Sequence, residues 1–290
     1  YGDGEKFDVK ITYVKQDEPL GISHAINLCR SFIGDDKFLV FLGDNIIQRN
    51  ISDFANEFLK SNDDASILLC EVDNPSRFGI ADMHEGKITK IMEKPKDPPT
   101  NFAVTGIYFL TPKIFDIIDN LKPSWRNELE ITDALQILLS ENNKISYNII
   151  TDYWKDTGTP EDIINANRAI LENKESYFYG EKSDSVSLTG IVLIGKGTKI
   201  LGNSQIIGPV IVGENCILDN VCIGPNSSIG NNSQITNSNI QNSIVMSDCT
   251  INTPIKIRNS IISSNSEIEF KNDSQDEKIF LLGEGTKILL

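Results

Sequence analysis

The spacing of apolar positions along the chain changes its rule once, near residue 175. Before that point, short runs rich in β-branched and aromatic residues, at 9–13, 38–42, 66–71, 106–110 and 146–150, read as strands. Between them, residues 23–32, 51–60, 112–120, 131–141 and 160–173 carry apolar side chains at helical spacing. Pro160 falls just inside the last of these helices, where a missing N–H does no harm. A strand–turn–strand unit, 79–83 and 87–92, folds about Glu85-Gly86. Strand and helix in turn predict an α/β layered domain over residues 1–175 with a mainly parallel sheet.

After residue 175 helix formers almost vanish. Ile194, Ile200, Ile206, Val212 and Leu218 fall on every sixth position, and after a one-residue slip Ile223, Ile229 and Ile235 resume the beat. A six-residue period is the mark of a parallel β-helix, in which short strands turn a corner at each repeat and stack aliphatic residues in a column. An antiparallel sandwich would instead show period two with irregularly spaced turns. The coil is predicted over residues 184–290, weakening beyond Ile251, with a polar loop at 269–278 and apolar capping strands at 279–290.

Composition narrows the function. The 290 residues hold 27 Lys plus Arg against 41 Asp plus Glu, a net charge of −14 that argues against a nucleic-acid or anionic-membrane surface. No apolar run is long enough to span a bilayer and no charged-then-apolar leader opens the chain, so the cytoplasm is the expected location. Cys29, Cys70, Cys216, Cys222 and Cys249 show no Cys-x-x-Cys pairing and read as reduced and structural. There is no Gly-x-Ser-x-Gly elbow, and His24 and His84 read as packing or surface residues.

The residues with most chemical content are Asp44, in Phe41-Leu42-Gly43-Asp44-Asn45, and Asp156, in Trp154-Lys155-Asp156-Thr157-Gly158. Each follows a strand-like run and precedes turn chemistry, which puts both carboxylates at the carboxyl edge of one sheet, where α/β sheets bind ligands. Two carboxylates without Cys or His suit a hard cation such as Mg²⁺. Gln16-x-x-Pro19-x-Gly21 reads either as an approach for a flat ligand such as a nucleobase or as an ordinary turn with Ser23 as helix N-cap. Glu93-Lys94 can hold sugar hydroxyls and a phosphate, or form a solvated surface pair. Arg126 suits phosphate, Glu130 and Asp133 complement a helix dipole, and Trp154 is a sugar platform or a core aromatic.

Read in order, Gln16-x-x-Pro19-x-Gly21, Leu42-Gly43-Asp44-Asn45, Phe78-Gly79, Glu93-Lys94-Pro95, Thr105-Gly106-Ile107-Tyr108, Glu128-Leu129-Glu130-Ile131-Thr132-Asp133 and Trp154-x-Asp156-Thr157-Gly158 resemble the sugar-1-phosphate nucleotidylyltransferases. Within them the likeness is to the long-form glucose-1-phosphate thymidylyltransferases. The resemblance implies a Rossmann-like nucleotide-diphospho-sugar transferase domain followed by a left-handed parallel β-helix. It implies Mg²⁺ on Asp44 and Asp156, nucleotide contacts from Gln16, Pro19, Gly21, Ile22 and Gly43, and sugar-phosphate contacts from Gly79, Glu93, Lys94, Val104 and Trp154. Arg126 would join the two aspartates in catalysis. The substrates would be a nucleoside triphosphate, by this likeness dTTP, and a sugar 1-phosphate such as glucose 1-phosphate.

One departure stands against these matches. The family opens with a glycine-rich Gly-x-Gly-Thr-Arg-Leu loop and a Pro-Lys pair, and this chain has neither, so the sequence given is expected to lack the first units of its nucleotide domain and to be inactive as it stands. Three rival readings are a bifunctional enzyme with an acetyltransferase coil, a UTP-using enzyme, and a non-catalytic assembly protein that binds sugar nucleotides. The flat flank of a β-helix also leads to an expected homo-oligomer.

Overall fold

The computed structural model describes residues 1–269. The chain forms two compact units, Tyr1–Asp162 and Ile163–Leu290, divided inside a helix rather than after residue 175. The later turns of that helix belong with the coil. There Asn167 donates to the Asn226 carbonyl at 3.0 Å and accepts from the Ser228 hydroxyl at 2.5 Å.

The first unit is built on strands β1 (Phe38–Phe41), β2 (Asn45–Ile47), β3 (Ala65–Glu71), β4 (Gly79–His84), β5 (Lys87–Glu93), β6 (Phe102–Leu110), β7 (Ile145–Ile150) and β8 (Trp154–Asp156). Its helices are α1 (Ile22–Leu28), α2 (Arg30–Ile33), α3 (Ser52–Lys60), α4 (Lys113–Ile118), α5 (Ile131–Ser140) and the start of α6 (Pro160–Glu172). The main sheet runs β5-β4-β6-β3-β7, with β1 also on β6. Only β3 with β7 is a parallel pair; β6 runs antiparallel to β1, β3 and β4, and β4 to β5. The expected mainly parallel sheet is therefore corrected to a mixed one. No helix intervenes between β4 and β6, and parallel neighbours need a crossover that this stretch does not supply.

Alternation along β3 and β6 sorts the core. Ile67, Leu69, Val104 and Tyr108 pack with Ile26, Ile114 and Leu135 of α1, α4 and α5, while Leu68, Ile107 and Phe109 pack with Phe54 and Phe58 of α3. Each fully buried aliphatic side chain contributes about 1.5–3 kcal/mol. With both faces covered, the central strands read as unbroken apolar runs.

Residues 9–13 are not a strand. Val9 and Tyr13 are exposed, and the amides of Val9 and Ile11 donate to the carbonyls of Gly4 and Asp3 instead of a sheet neighbour. Strand propensity acts through cross-strand packing, and no described strand lies beside this segment. The helix predicted over 23–32 breaks at Cys29 into α1 and α2. Ser23 does not cap it: Gly21 holds the N-cap position, and the Ser23 hydroxyl is buried without a partner.

The second unit is a parallel coil of three sheets. Ile194 stacks on Val212 and Ile229; Ile200 on Leu218 and Ile235; Ile206 on Ile223 and Ile240. The six-residue beat thus feeds three columns, one per side. At the corners Asn215, Asn220, Asn226, Asn232, Asn237 and Asn242 adopt φ between 47° and 62°, a left-handed conformation that asparagine tolerates. The coil does not weaken after Ile251, since Lys256–Arg258, Ile261–Ile262 and Glu267–Glu269 continue the three sheets. Glu269 ends a strand rather than opening a loop; the rest of that predicted loop and the capping strands lie outside the described residues. The five cysteines are free thiols. Among the described residues no helix is long and apolar enough to cross a membrane.

Candidate active site

Strands β2 and β8 pair antiparallel with Asn45 opposite Asp156. This two-stranded ribbon, and not a shared sheet edge, brings the two aspartates together. Asp44 immediately precedes β2, and its carbonyl accepts from both the amide (2.9 Å) and the hydroxyl (2.8 Å) of Thr157, just after Asp156. Between them Asn45 acts as a three-way joint. Its Oδ1 accepts from the Gly106 amide at 2.9 Å and from Trp154 Nε1 at 2.8 Å, while its Nδ2 donates to Asp44 Oδ1 at 2.8 Å. A Cβ at residue 106 would collide with that amide, which gives Gly106 a physical reason.

Both aspartates line a cavity of about 250 Å³ together with Gly79, Glu93, Lys94, Val104, Arg126 and Trp154. Asp156 Oδ1 is buried without a hydrogen-bond partner among the described residues, an arrangement that costs roughly 1–3 kcal/mol unless a ligand completes it. The cavity lining offers oxygen donors and no Cys or His, so the residues present fit Mg²⁺.

The same cavity also has a charged wall. Arg126 Nη2 donates to Glu128 at 3.0 Å, and Nη1 donates to Glu130 at 3.4 Å and stands 3.5 Å from Glu93. Glu93 accepts from the Thr132 hydroxyl at 2.9 Å, with Lys94 Nζ 3.7 Å away. Burial raises the Glu93 carboxyl above the ordinary carboxylate value, with the Glu130 charge adding to it, against the Thr132 hydrogen bond and the charges of Lys94 and Arg126. Burial, aided by Glu93, Asp44 and Glu130, also pushes the Tyr108 phenol up, so it stays protonated. Gly79 faces Glu93 across the β4–β5 pair, where a side chain would press on Thr132.

Gln16, Pro19, Gly21 and Ile22 line a second cavity of about 610 Å³, whose remaining walls are mostly apolar residues of α1, α2 and β1. Gly21 has φ 101°, and a Cβ there would stand 2.6 Å from the Leu129 carbonyl oxygen, so this close approach requires glycine. Two backbone hydrogen bonds, Leu129 to Leu20 at 2.8 Å and Ser23 to Leu129 at 3.1 Å, stitch the two loops together. Gln16 Nε2 lies 2.8 Å from His24 Nδ1, so His24 is a packing residue that orients Gln16. Ile22, Leu42 and Glu128 line both cavities.

Gly43 lines neither cavity. Trp154 is 8% exposed, packs edge-on against Phe78 and gives its indole N–H to Asn45, which makes it a core aromatic at the cavity wall. Sequence reasoning gave no role to Asn45, Thr132 or Glu128. Only the first carried a signal, as an amide directly after Asp44. Glu130, read as a dipole partner, is buried in the wall and accepts from the Ser124 hydroxyl at 2.9 Å.

Comparison with known proteins also treats the chain as two parts. The family model described as nucleotidyl transferase matches residues 1–173, and that described as the GMPPB C-terminal domain matches residues 206–288. The chain is 38% identical over 292 residues to the low-salt glycan biosynthesis nucleotidyltransferase Agl11 of Haloferax volcanii, covering 100% of this chain and 82% of that protein. It is 37% identical over 289 residues to a glucose-1-phosphate thymidylyltransferase of Streptomyces antibioticus, covering 99% of this chain and 81% of the relative. A crystal structure from Bacillus anthracis, assigned as a glucose-1-phosphate thymidylyltransferase and solved with sucrose, superposes with a TM-score of 0.56 at 41% identity, covering 61% of this chain and 71% of that one. Nothing among these matches supports the expected inactivity.

Proposed function

We propose, for a chain that belongs to the nucleotidyl transferase family, that it transfers a nucleotidyl group to a sugar 1-phosphate, with dTTP and glucose 1-phosphate as the preferred pair. The observation that carries this reading is the convergence of Asp44, Asp156, Arg126, Lys94 and Glu93 in one cavity, from segments far apart in sequence. The base and sugar assignments follow the thymidylyltransferase relatives of two Streptomyces species.

In the proposed reaction a phosphate oxygen of the sugar 1-phosphate forms a bond to the α-phosphorus of the triphosphate. The bond from that phosphorus to the β-bridging oxygen breaks, and its electrons leave with pyrophosphate. Such displacements need positioning and charge neutralisation more than a covalent nucleophile. Asp44 and Asp156 would hold Mg²⁺, which when bound neutralises phosphate charge. Asn45 fixes Asp44 for that task. Glu93, backed by Thr132, accepts sugar hydroxyls above the space that Gly79 leaves open. Lys94 and Arg126 face the sugar phosphate, and Gln16, Pro19, Gly21 and Ile22 line the side that takes the base.

The acetyltransferase reading loses support because both histidines, His24 and His84, precede the coil, which leaves it no imidazole base. The test is pyrophosphate release from the purified protein with Mg²⁺ across a panel of nucleoside triphosphates and sugar 1-phosphates. Turnover should be highest with dTTP and glucose 1-phosphate. A preference for UTP would overturn the base assignment, and no release with any pair would overturn the transfer reading.

A further inference from the structure

Arg126 carries one positive charge and is faced by three carboxylates, Glu128 at 3.0 Å, Glu130 at 3.4 Å and Glu93 at 3.5 Å. They are not equivalent. The Glu130 side chain is 6% exposed and also accepts from Ser124; that of Glu93 is 15% exposed and also accepts from Thr132. Glu128 is the least buried, at 29%, is tied to Arg126, and stands on the wall common to both cavities. We propose that Glu128 is an internal stand-in for the ligand's anion: it holds Arg126 while the cavity is empty, yields it to an incoming phosphate, and so sets the affinity of the phosphate subsite. The inference rests on the nucleotidyl-transfer reading for the identity of that phosphate.

The exchange is physically reasonable. A carboxylate–guanidinium pair left partly open to solvent is weak, whereas a phosphate engages guanidinium through two parallel charge-assisted hydrogen bonds. Glu128 must turn away, because it and an incoming phosphate compete for the same Nη2 side of the guanidinium. The backbone need not follow. Leu129 is held by its hydrogen bonds with Leu20 and Ser23, and Ser124 donates from its amide to the Glu128 carbonyl at 2.8 Å, so the side chain can rotate on a fixed loop. The resting arrangement also gives Arg126 a set geometry before a ligand arrives, since its amide bonds the Ser124 hydroxyl at 3.1 Å.

The experiment is calorimetric titration of the whole protein with inorganic phosphate, alongside steady-state kinetics with the sugar 1-phosphate. Glu128→Gln, which removes the competing charge, should bind phosphate about fivefold tighter, and Glu128→Ala should tighten it in the same direction. Arg126→Gln should weaken phosphate binding whatever residue stands at 128. In the kinetics, KM for the sugar phosphate should fall in Glu128→Gln with less change in kcat. Phosphate binding that is unchanged or weaker in both Glu128 variants would overturn the proposal, even if transfer activity is present. Tighter binding in those variants from a protein that forms no nucleotide sugar would sustain the stand-in role and overturn only the transfer reading.

Discussion

The two units treat buried polar groups in opposite ways. In the coil, hydroxyls that point inward are bonded from one turn to the next: Ser204 accepts from the Val221 amide at 3.1 Å, Ser233 from Cys249 at 3.2 Å, Ser238 from Thr253 at 3.2 Å and Ser243 from Ser260 at 3.1 Å. In the α/β unit, by contrast, Ser23, Asn27, Arg30, Thr105, Tyr153 and Asp156 each keep a buried side-chain atom without a partner among the described residues. Of the coil's described side chains only Ser227 joins them. Unmet polar atoms in a native fold call for an explanation, and a ligand is one. Among the described residues the coil completes nearly all of its buried side-chain hydrogen bonding within itself, whereas in the α/β unit Asp156, the one of these groups that lines either cavity, is placed for a ligand to complete.

That contrast is open to direct attack. The largest effect is expected at the aspartates: Asp44→Asn or Asp156→Asn should lower transfer about a thousandfold while leaving the melting temperature close to wild type, as measured by pyrophosphate release and calorimetry. Leu218→Ala should do the reverse, destabilising the coil by about 3 kcal/mol without changing KM, as read from urea unfolding and kinetics. Asn45→Ala should cross the divide, because it leaves the Gly106 amide and the Trp154 indole N–H unsatisfied and frees Asp44. Chemical denaturation should show a loss of about 1–3 kcal/mol, and activity should fall with it. Asn237→Ala, at a left-handed corner, should cost about 1 kcal/mol, and Asn237→Gly should recover most of it.

The smallest expected effect sharpens the comparison through pH. Because burial raises the Glu93 carboxyl above the ordinary carboxylate value, the folded protein holds that proton more tightly than the unfolded chain. The resulting stability is fully present below the unfolded value and is lost as pH rises through the folded one. Melting temperature followed from mild acid to neutrality should therefore drop more in wild type than in Glu93→Gln. Equal pH profiles would show that burial of Glu93 does not hold its proton.

How much of this was legible in the chain differs between the units. The coil was readable because its contacts repeat at short range: Ile194 and Val212 belong to the same rule whether or not their pairing is known. Even so, the beat past Ile251 was underread, since a five-residue step breaks a count of six without breaking the stack. In the α/β unit the central strands were visible from their apolar runs, but the return of β6 between β1 and β3 was not. That pairing joins distant residues, and no local spacing encodes it. The aspartates announced themselves by their flanking strands and turns. Glu128 could not, because a carboxylate in an acidic stretch becomes a competitor for Arg126 only once the loop folds back on itself through Ser124.

The joint at Asn45 has an optical consequence. The chain has two tryptophans, and they differ sharply: Trp125 is 82% exposed, while Trp154 is 8% exposed with its indole N–H bonded to the amide that holds Asp44. A neutral collisional quencher would silence the first and spare the second. The emission that remains would come from a ring two hydrogen bonds removed from Asp44, by way of Asn45, so a shift in its wavelength on adding Mg²⁺ or nucleotide would report, without label or mutation, on the state of the candidate centre itself.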